Sequence, residues 1–449
     1  MKKLFILSSF LFSIWGCQPV VKELPPLREY YYRNAEVALK WAEMTLRINY
    51  KEDFNTPTYS SRGLGYMGLT MYESAVRGFP EYQSLEGQLN GLSNLPKPEA
   101  EKSYHWILSM NAAQAAMLRN LYPKTAAAKK AAIDSLENSL FASYSADEDP
   151  EMVKRSVEYG RSIAQAIFEW SKTDGGHEGN TRNFDPSYFY PYGQGKWSPP
   201  LVGQSSIRMP LHPYWGNNRT FTKANSELPL PKPLEFSNQP NSEYYKQFKE
   251  VYDKNLTLTQ EEKEIALWWG DDPSETYSPP GHSYNLTNIA VRTARPNLIK
   301  AAESYARVGM AVADAFICCW KTKYTYHAER PASYIRSYIN GMWSPFWPEP
   351  PFPAYSSGHA TQGAAAATVL TAIYGEKFDI VDDTHNNRPF DHERQAGYKT
   401  RKFNSFWATA EESAMSRLYG GIHTRQDNET GLQEGKKIGQ NVNNLKWKK

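Results

Sequence analysis

An all-α fold follows from three observations. Apolar residues recur at three- and four-residue spacing over most of the chain. Alanine is frequent and proline nearly absent inside those runs. Strict apolar–polar alternation is scarce, so no segment offers itself as a strand. The first helical run is 35–48, where Val37, Ala38, Trp41, Met44 and Leu46 fall on one side. Runs 63–76, 103–121, 125–143 and 150–170 read the same way. Residues 173–240 then break the pattern with Gly, Pro, Asn and Tyr. A segment this long and irregular either walls a pocket or wraps the outside of the helices.

Helices resume at 242–252 and 260–269, and a loop is expected from Gly270 to His282. A long helix follows at about 296–320, with Leu298, Ala302, Tyr305, Val308, Val312, Phe316 and Cys319 as its apolar stripe. Segment 343–355 is full of prolines and aromatics. Ser357 opens a helix over 360–374, which Gly375 closes. A charged loop with His385 and His392 occupies 376–402, and helices at 403–419 and 429–444 end the chain.

Bulk properties agree with a packed globular protein. The chain has 449 residues, of which 40% are hydrophobic and 22% charged, and it carries 30 Tyr and 13 Trp to line a large core. Formal net charge is +3, and no basic run stands out, so nucleic acid is excluded as a partner. Lys2 and Lys3, an apolar run from Leu4 to Trp15 and then Gly16-Cys17 describe an export leader too short to span a bilayer. Ile14-Trp15-Gly16-Cys17 resembles the bacterial lipobox. That resemblance implies a diacylated Cys17, and Gln18 after it implies the outer rather than the inner membrane; a plain secreted protein is the alternative. Residues 1–16 are thus read as a leader, 17–28 as a tether and 29–449 as one helical domain, with the active-site half at about 260–445. Cys318 and Cys319 are read as buried thiols on a helix, because adjacent cysteines there point apart.

Three stretches carry chemistry. Ser357-Gly358-His359 sits at a helix start, where free backbone N–H groups favour an anion. Gly358 lets the backbone approach it, Ser357 adds a hydroxyl donor, and His359 is free to move a proton. Lys323 and Arg330-Pro331 supply two cations. Ser416-Arg417 leads through Gly420-Gly421 to His423 and Asp427. Asp427 lies one helical turn past His423, so its carboxylate can fix the imidazole tautomer and leave the other nitrogen more basic.

Together these resemble the three-part signature of the acid phosphatase and vanadium haloperoxidase superfamily. Its pattern is Lys, six residues, Arg-Pro; then Pro-Ser-Gly-His; then Ser-Arg, five residues, His, three residues, Asp. This chain departs only at Ser356, where proline is usual, and the resemblance covers about 261–439. It implies that Lys323, Arg330 and Arg417 hold the oxygens of a phosphate or vanadate, with Ser357 and the Gly358 amide completing the cradle. His359 would be the acid/base. His423 would be the vanadate ligand, or the phosphorylated nucleophile of a phosphatase.

Chain length, Pro350 to Tyr355 and the Trp268-Trp269-Gly270-Asp271-Asp272 segment resemble the haloperoxidase branch. That branch implies Trp320 and Phe352 beside the halide region, and Asp272 paired with Arg417. The function implied is a vanadium-dependent haloperoxidase using hydrogen peroxide to oxidise halide, iodide or bromide foremost, to hypohalous acid, with organic halogen acceptors downstream. A phosphohistidine acid phosphatase is the alternative.

Overall fold

The computed structural model describes residues 35–449, apart from 53–54, 201–202, 205–208 and 274. The leader, Cys17 and the tether lie outside the described residues. Five helices come first: α1 (Glu36–Asn49), α2 (Pro57–Glu73), α3 (Trp106–Leu121), α4 (Ala127–Ser145) and α5 (Pro150–Ser171). The expected second helix begins six residues early, because Pro57 sits in its first turn, where a missing N–H costs nothing. Asp149 caps α5 by accepting from the Met152 amide.

Among its described residues the irregular segment contains the four-residue α6 (Lys223–Ser226) and two single turns of 3₁₀ helix. It is stitched onto later parts of the chain. The Trp197 amide donates to the His327 carbonyl at 2.7 Å, and the Leu211 amide to the Pro351 carbonyl at 2.8 Å. Asn183, Phe184, Gln204 and Leu211 from this segment face the main cavity, so it is a wall of that pocket.

The second group comprises α7 (Glu243–Leu256), α8 (Gln260–Trp268), α9 (Ser278–Ala294), α10 (Leu298–Tyr326), α11 (Pro331–Tyr338), α12 (Gly358–Tyr374), α13 (Phe406–Tyr419) and α14 (Arg425–Asn443). Helix α9 corrects the expected loop end. Pro279 and Pro280 read as breakers, but both lie in the first turn, and the rest of the helix is buried on nearly every side, which erases its period. Pro331 likewise opens α11. The fold class is all-α as expected; a two-stranded antiparallel pair, β1 (Ile380–Asp382) with β2 (Arg401–Phe403), corrects only the expectation of a plain loop over 376–402. Three residues per strand are too few to show alternation. The pair delays α13 to Phe406, where Ser405 caps it. Helix α14 starts at Arg425, not 429, because Thr424 and Asp427 form a reciprocal capping box.

Helix α10 runs through the middle of the core and is buried along most of its 29 residues. It meets α2 backbone to backbone: a Cβ at Gly309 would lie 2.4 Å from the Leu64 carbonyl oxygen. Helices α12 and α14 touch in the same way through Gly431, Gly435 and Gly439. A Cβ at Gly435 would stand 2.1 Å from the Thr361 carbonyl oxygen, and one at Gly431 2.9 Å from that of Ser357. The Ser357 amide donates to the Asp427 carbonyl at 3.0 Å, joining the start of α12 to the start of α14. Among the described residues no helix is long and apolar enough to cross a membrane.

Candidate active site

The three sequence motifs converge where the last turn of α10 and the starts of α11, α12 and α14 meet. Lys323 is in that last turn and is fully buried. Its ammonium donates to the carbonyls of Pro353 (2.9 Å), Ala354 (2.6 Å) and Ser356 (2.6 Å). Arg330, also fully buried, donates to the carbonyls of Phe352 (3.0 Å) and Ile422 (2.9 Å). The proline-rich approach to Ser357 therefore has a physical role. It presents a row of carbonyl oxygens to two cations without offering competing N–H groups at the prolines. Arg417, at the end of α13, donates to Ser416 Oγ (3.0 Å) and to the Ala266 carbonyl (3.2 Å).

Among the described residues none of these three cations has a carboxylate within ion-pair distance. Hydrogen bonds to a charged donor return about 1.5–3 kcal/mol each. Removing an ion from water costs several kcal/mol. Burial shows in the protonation equilibria. It pulls the Lys323 ammonium down to about 7, and both guanidiniums down to about 10. The carboxylates nearest in effect, Glu349 and Asp427 on Arg330 and Asp271 and Asp272 on Arg417, act only from beyond ion-pair distance.

His423 faces this group with a fixed tautomer. Its Nδ1 lies 3.0 Å from Asp427 Oδ2, and its Nε2 lies 3.1 Å from Arg330 Nη1. A guanidinium only donates, so Nε2 carries the lone pair and Nδ1 the hydrogen. Asp427 Oδ2 also accepts from the Thr424 amide, so the capping box that starts α14 includes the carboxylate that orients the histidine. Burial and the Arg330 and Lys323 charges hold His423 well below the ordinary histidine range, hence neutral.

Ser357 caps α12, its Oγ accepting from the Ala360 amide, which leaves its O–H free to donate. His359 stands in the first turn. Its Nε2 is buried with no hydrogen-bond partner, and the ring lies beside the Trp269 backbone, which favours its charged form. Burial and Arg417 keep it neutral. Gly358, His359, Arg417 and His423 open onto a cavity of about 450 Å³. Trp320 and Phe352 form its aromatic side, with ring centroids 4.8 Å apart. Lys323 Nζ lies 5.3 Å and the Arg330 guanidinium 5.1 Å from the Phe352 ring. The chemistry available is capture of a tetrahedral oxyanion, a nitrogen lone pair on His423 that Arg330 now meets and an anion's central atom could take in its place, and a neutral imidazole to take a proton.

The expected Asp272–Arg417 pair is not made as a hydrogen bond. Asp272 accepts from Gln204 Nε2 at 2.9 Å and lines the cavity. Burial raises its carboxyl to about 7, with Arg417 opposing from a distance. The chain turns sharply at Asp271, which has a φ of +52°, so the two aspartates face different neighbours. Sequence reasoning assigned no role to Asp271, His282, Asp382 or His385, which form a buried cluster beside the site. His282 and His385 were visible as isolated histidines; Asp271 lies eleven residues before His282, but the Asp382–His282 and Asp271–His385 contacts join residues a hundred or more apart in the chain.

The family model described as "VCPO second helical-bundle domain" matches residues 303–447. A solved bacterial vanadium-dependent iodoperoxidase superposes with a TM-score of 0.80 at 30% identity, over 92% of this chain and 97% of that one. This chain belongs to the vanadium haloperoxidase family. The vanadium chloroperoxidase of Curvularia inaequalis is 29% identical over 217 residues, spanning 36% of this chain and 35% of that enzyme. The chain thus aligns with about a third of that curated relative's length. A bacterial vanadium-dependent chloroperoxidase shares the fold, with a TM-score of 0.65 at 17% identity. The family match covers the helices that bring Lys323, Arg330, His359, Arg417 and His423 together.

Proposed function

We propose that the protein is a vanadium-dependent haloperoxidase that oxidises iodide or bromide. The net reaction joins hydrogen peroxide, halide and a proton to give hypohalous acid and water. Two electrons leave the halide, and the peroxide O–O bond breaks. The observation that carries this reading is a set of three buried cations without an ion-pair partner that all act on His423, one of them, Arg330, 3.1 Å from its Nε2.

The residues present fit vanadate. His423 Nε2 would be its ligand, and Lys323, Arg330 and Arg417 would balance its charge. Ser357 and the Gly358 amide would donate to its oxygens. The buried, unpartnered His359 Nε2 marks a place for one more polar group. Bound vanadate would supply a Lewis-acid centre that activates peroxide without changing oxidation state.

The protein's own residues do the rest. Asp427 holds the His423 tautomer through Nδ1. His359, neutral, takes a proton from incoming hydrogen peroxide at Nε2 and returns it to the departing oxygen. Trp320 and Phe352 exclude water from one side of the cavity. An aromatic wall costs a weakly hydrated halide least, which supports iodide and bromide over chloride. Similarity to the iodoperoxidase over nearly its whole length supports the same choice.

The test is apo-protein loaded with vanadate and assayed with peroxide and iodide or bromide, beside a phosphomonoester assay. Halide oxidation that disappears in His423→Ala is expected, by at least about a hundredfold. Release of phosphate alone, inhibited by vanadate, would make the protein a phosphatase. Full turnover in His423→Ala would remove that residue from the centre.

A further inference from the structure

The buried cluster behind Arg417 has a geometry the reaction scheme does not use. His282, in the first half of α9, lies between two carboxylates. Its Nδ1 is 2.8 Å from Asp271 Oδ2, and its Nε2 is 2.8 Å from Asp382 Oδ2. Ionised carboxylates only accept, so both ring nitrogens carry hydrogen and the ring is an imidazolium. Its ring stacks on the Trp269 indole, with centroids 4.5 Å apart. Asp382, on β1, is pinned further by Trp268 Nε1 (2.9 Å) and by Thr384. The second oxygen of Asp271 is engaged by His385 Nε2 at 2.9 Å. Both oxygens of Asp271 are therefore occupied by histidine N–H groups.

This occupancy matters because Asp271 and Arg417 line the same cavity, and the Asp271 carboxylate acts on the Arg417 charge. A free carboxylate there would compete with any external anion for the guanidinium. Instead Arg417 makes its hydrogen bonds to Ser416 and Ala266, and it still lines the cavity. We infer that His282, held between Asp271 and Asp382, is a positioning residue that occupies Asp271 and so leaves Arg417 open to the oxyanion. Trp269 lies between the two histidines: its ring stacks on His282, and its backbone acts on the His359 charge. The protonation equilibria agree: the two carboxylates raise His282 to about 10 despite burial, and His282 lowers both carboxyls. The inference rests on the oxyanion reading of the site.

Charge counting gives it an unusual signature. Asp271, His282 and Asp382 together carry one net negative charge. His282→Gln leaves two negative charges behind Arg417. Asp382→Asn leaves none, and the imidazolium then pairs with Asp271 alone. The experiment measures inorganic vanadate binding by equilibrium dialysis near pH 8, with thermal melts in parallel. His282→Gln is expected to weaken binding by about tenfold, the order of one partly screened charge at this range. Asp382→Asn is expected to tighten it by a few-fold while slightly lowering the melting temperature.

A cluster that served only packing would weaken binding in both variants. Should His282→Gln fail to fold, Asp382→Asn still decides, because structural damage does not tighten binding. An Asp382→Asn variant that binds no more tightly than wild type overturns the inference, as does a stoichiometric divalent metal in the purified protein in place of the imidazolium proton. Wild-type protein that binds no vanadate overturns the functional reading instead.

Discussion

Two buried arginines illustrate how differently the two halves of the molecule treat charge. Arg62, in α2, meets Asp174 at 2.7 Å, with both side chains almost wholly enclosed. Tyr66 donates to the same carboxylate, and the Ser171 carbonyl takes the other end of the guanidinium. Every charge there is cancelled within the fold. Arg330 is as deeply buried but has carbonyls and a histidine lone pair in place of a carboxylate. The first arrangement closes on itself, and the second awaits a negative ion. Burial alone does not mark a functional site; burial without compensation does.

The contrast can be broken most directly by removing each arginine. Arg330→Ala is expected to weaken vanadate binding by at least about a hundredfold while leaving the melting temperature of the apo-protein unchanged or higher, since an unpaired buried charge is gone. Arg62→Met leaves Asp174 buried without its cation. It should destabilise the protein by about 3–5 kcal/mol with vanadate affinity intact. Melts with and without vanadate check both, and a matching pattern in the two variants would erase the distinction.

A second, smaller effect concerns Lys323. Its folded-state value, about 7, lies below the ordinary 10.5. Between those values the unfolded chain holds a proton that the folded chain does not, so apo-protein stability rises with pH across that window. The expected rise is about 1–3 kcal/mol, less than the shift alone would give, because relaxation and water soften buried charges. Denaturant titrations from pH 7 to 10 should show it. Lys323→Met should flatten it, and an unaltered slope in that variant would mean the ammonium is not the group involved.

The smallest effect tests the aromatic side. Phe352→Leu removes the ring face near Lys323 and Arg330 at little cost in volume. A loss of about 1 kcal/mol in vanadate affinity, roughly fivefold, is expected by dialysis. No change would assign the ring to walling the cavity alone.

Much of the site was legible in the sequence because each motif is contiguous or nearly so. Spacing alone placed His423 one turn from Asp427, and a serine before a helical run placed Ser357 at a cap. The Asp271–His282–Asp382 cluster was not legible, since nothing local ties residue 282 to residue 382. The choice between Asp271 and Asp272 depended on one backbone angle that composition does not specify. Helix α9 escaped for the opposite reason to most errors. It is so thoroughly enclosed that the alternation of wet and dry faces, on which helix recognition depends, is missing.

The glycines of α14 have a consequence for how this catalytic centre tolerates change. Gly431, Gly435 and Gly439 put the backbone of α14 directly on that of α12, so the separation between the helix holding His359 and the one anchored at Asp427 is fixed by main-chain radii. Only the short side chains of Ala360, Thr361, Ala364 and Thr368 share the contact, and they leave little room to adjust it. A methyl group at position 435 would act as a wedge driven in behind the centre, spreading its two sides although no reacting group had been touched. The dimensions of the anion's seat are thus stored a few turns away from it, in residues that carry no functional group at all.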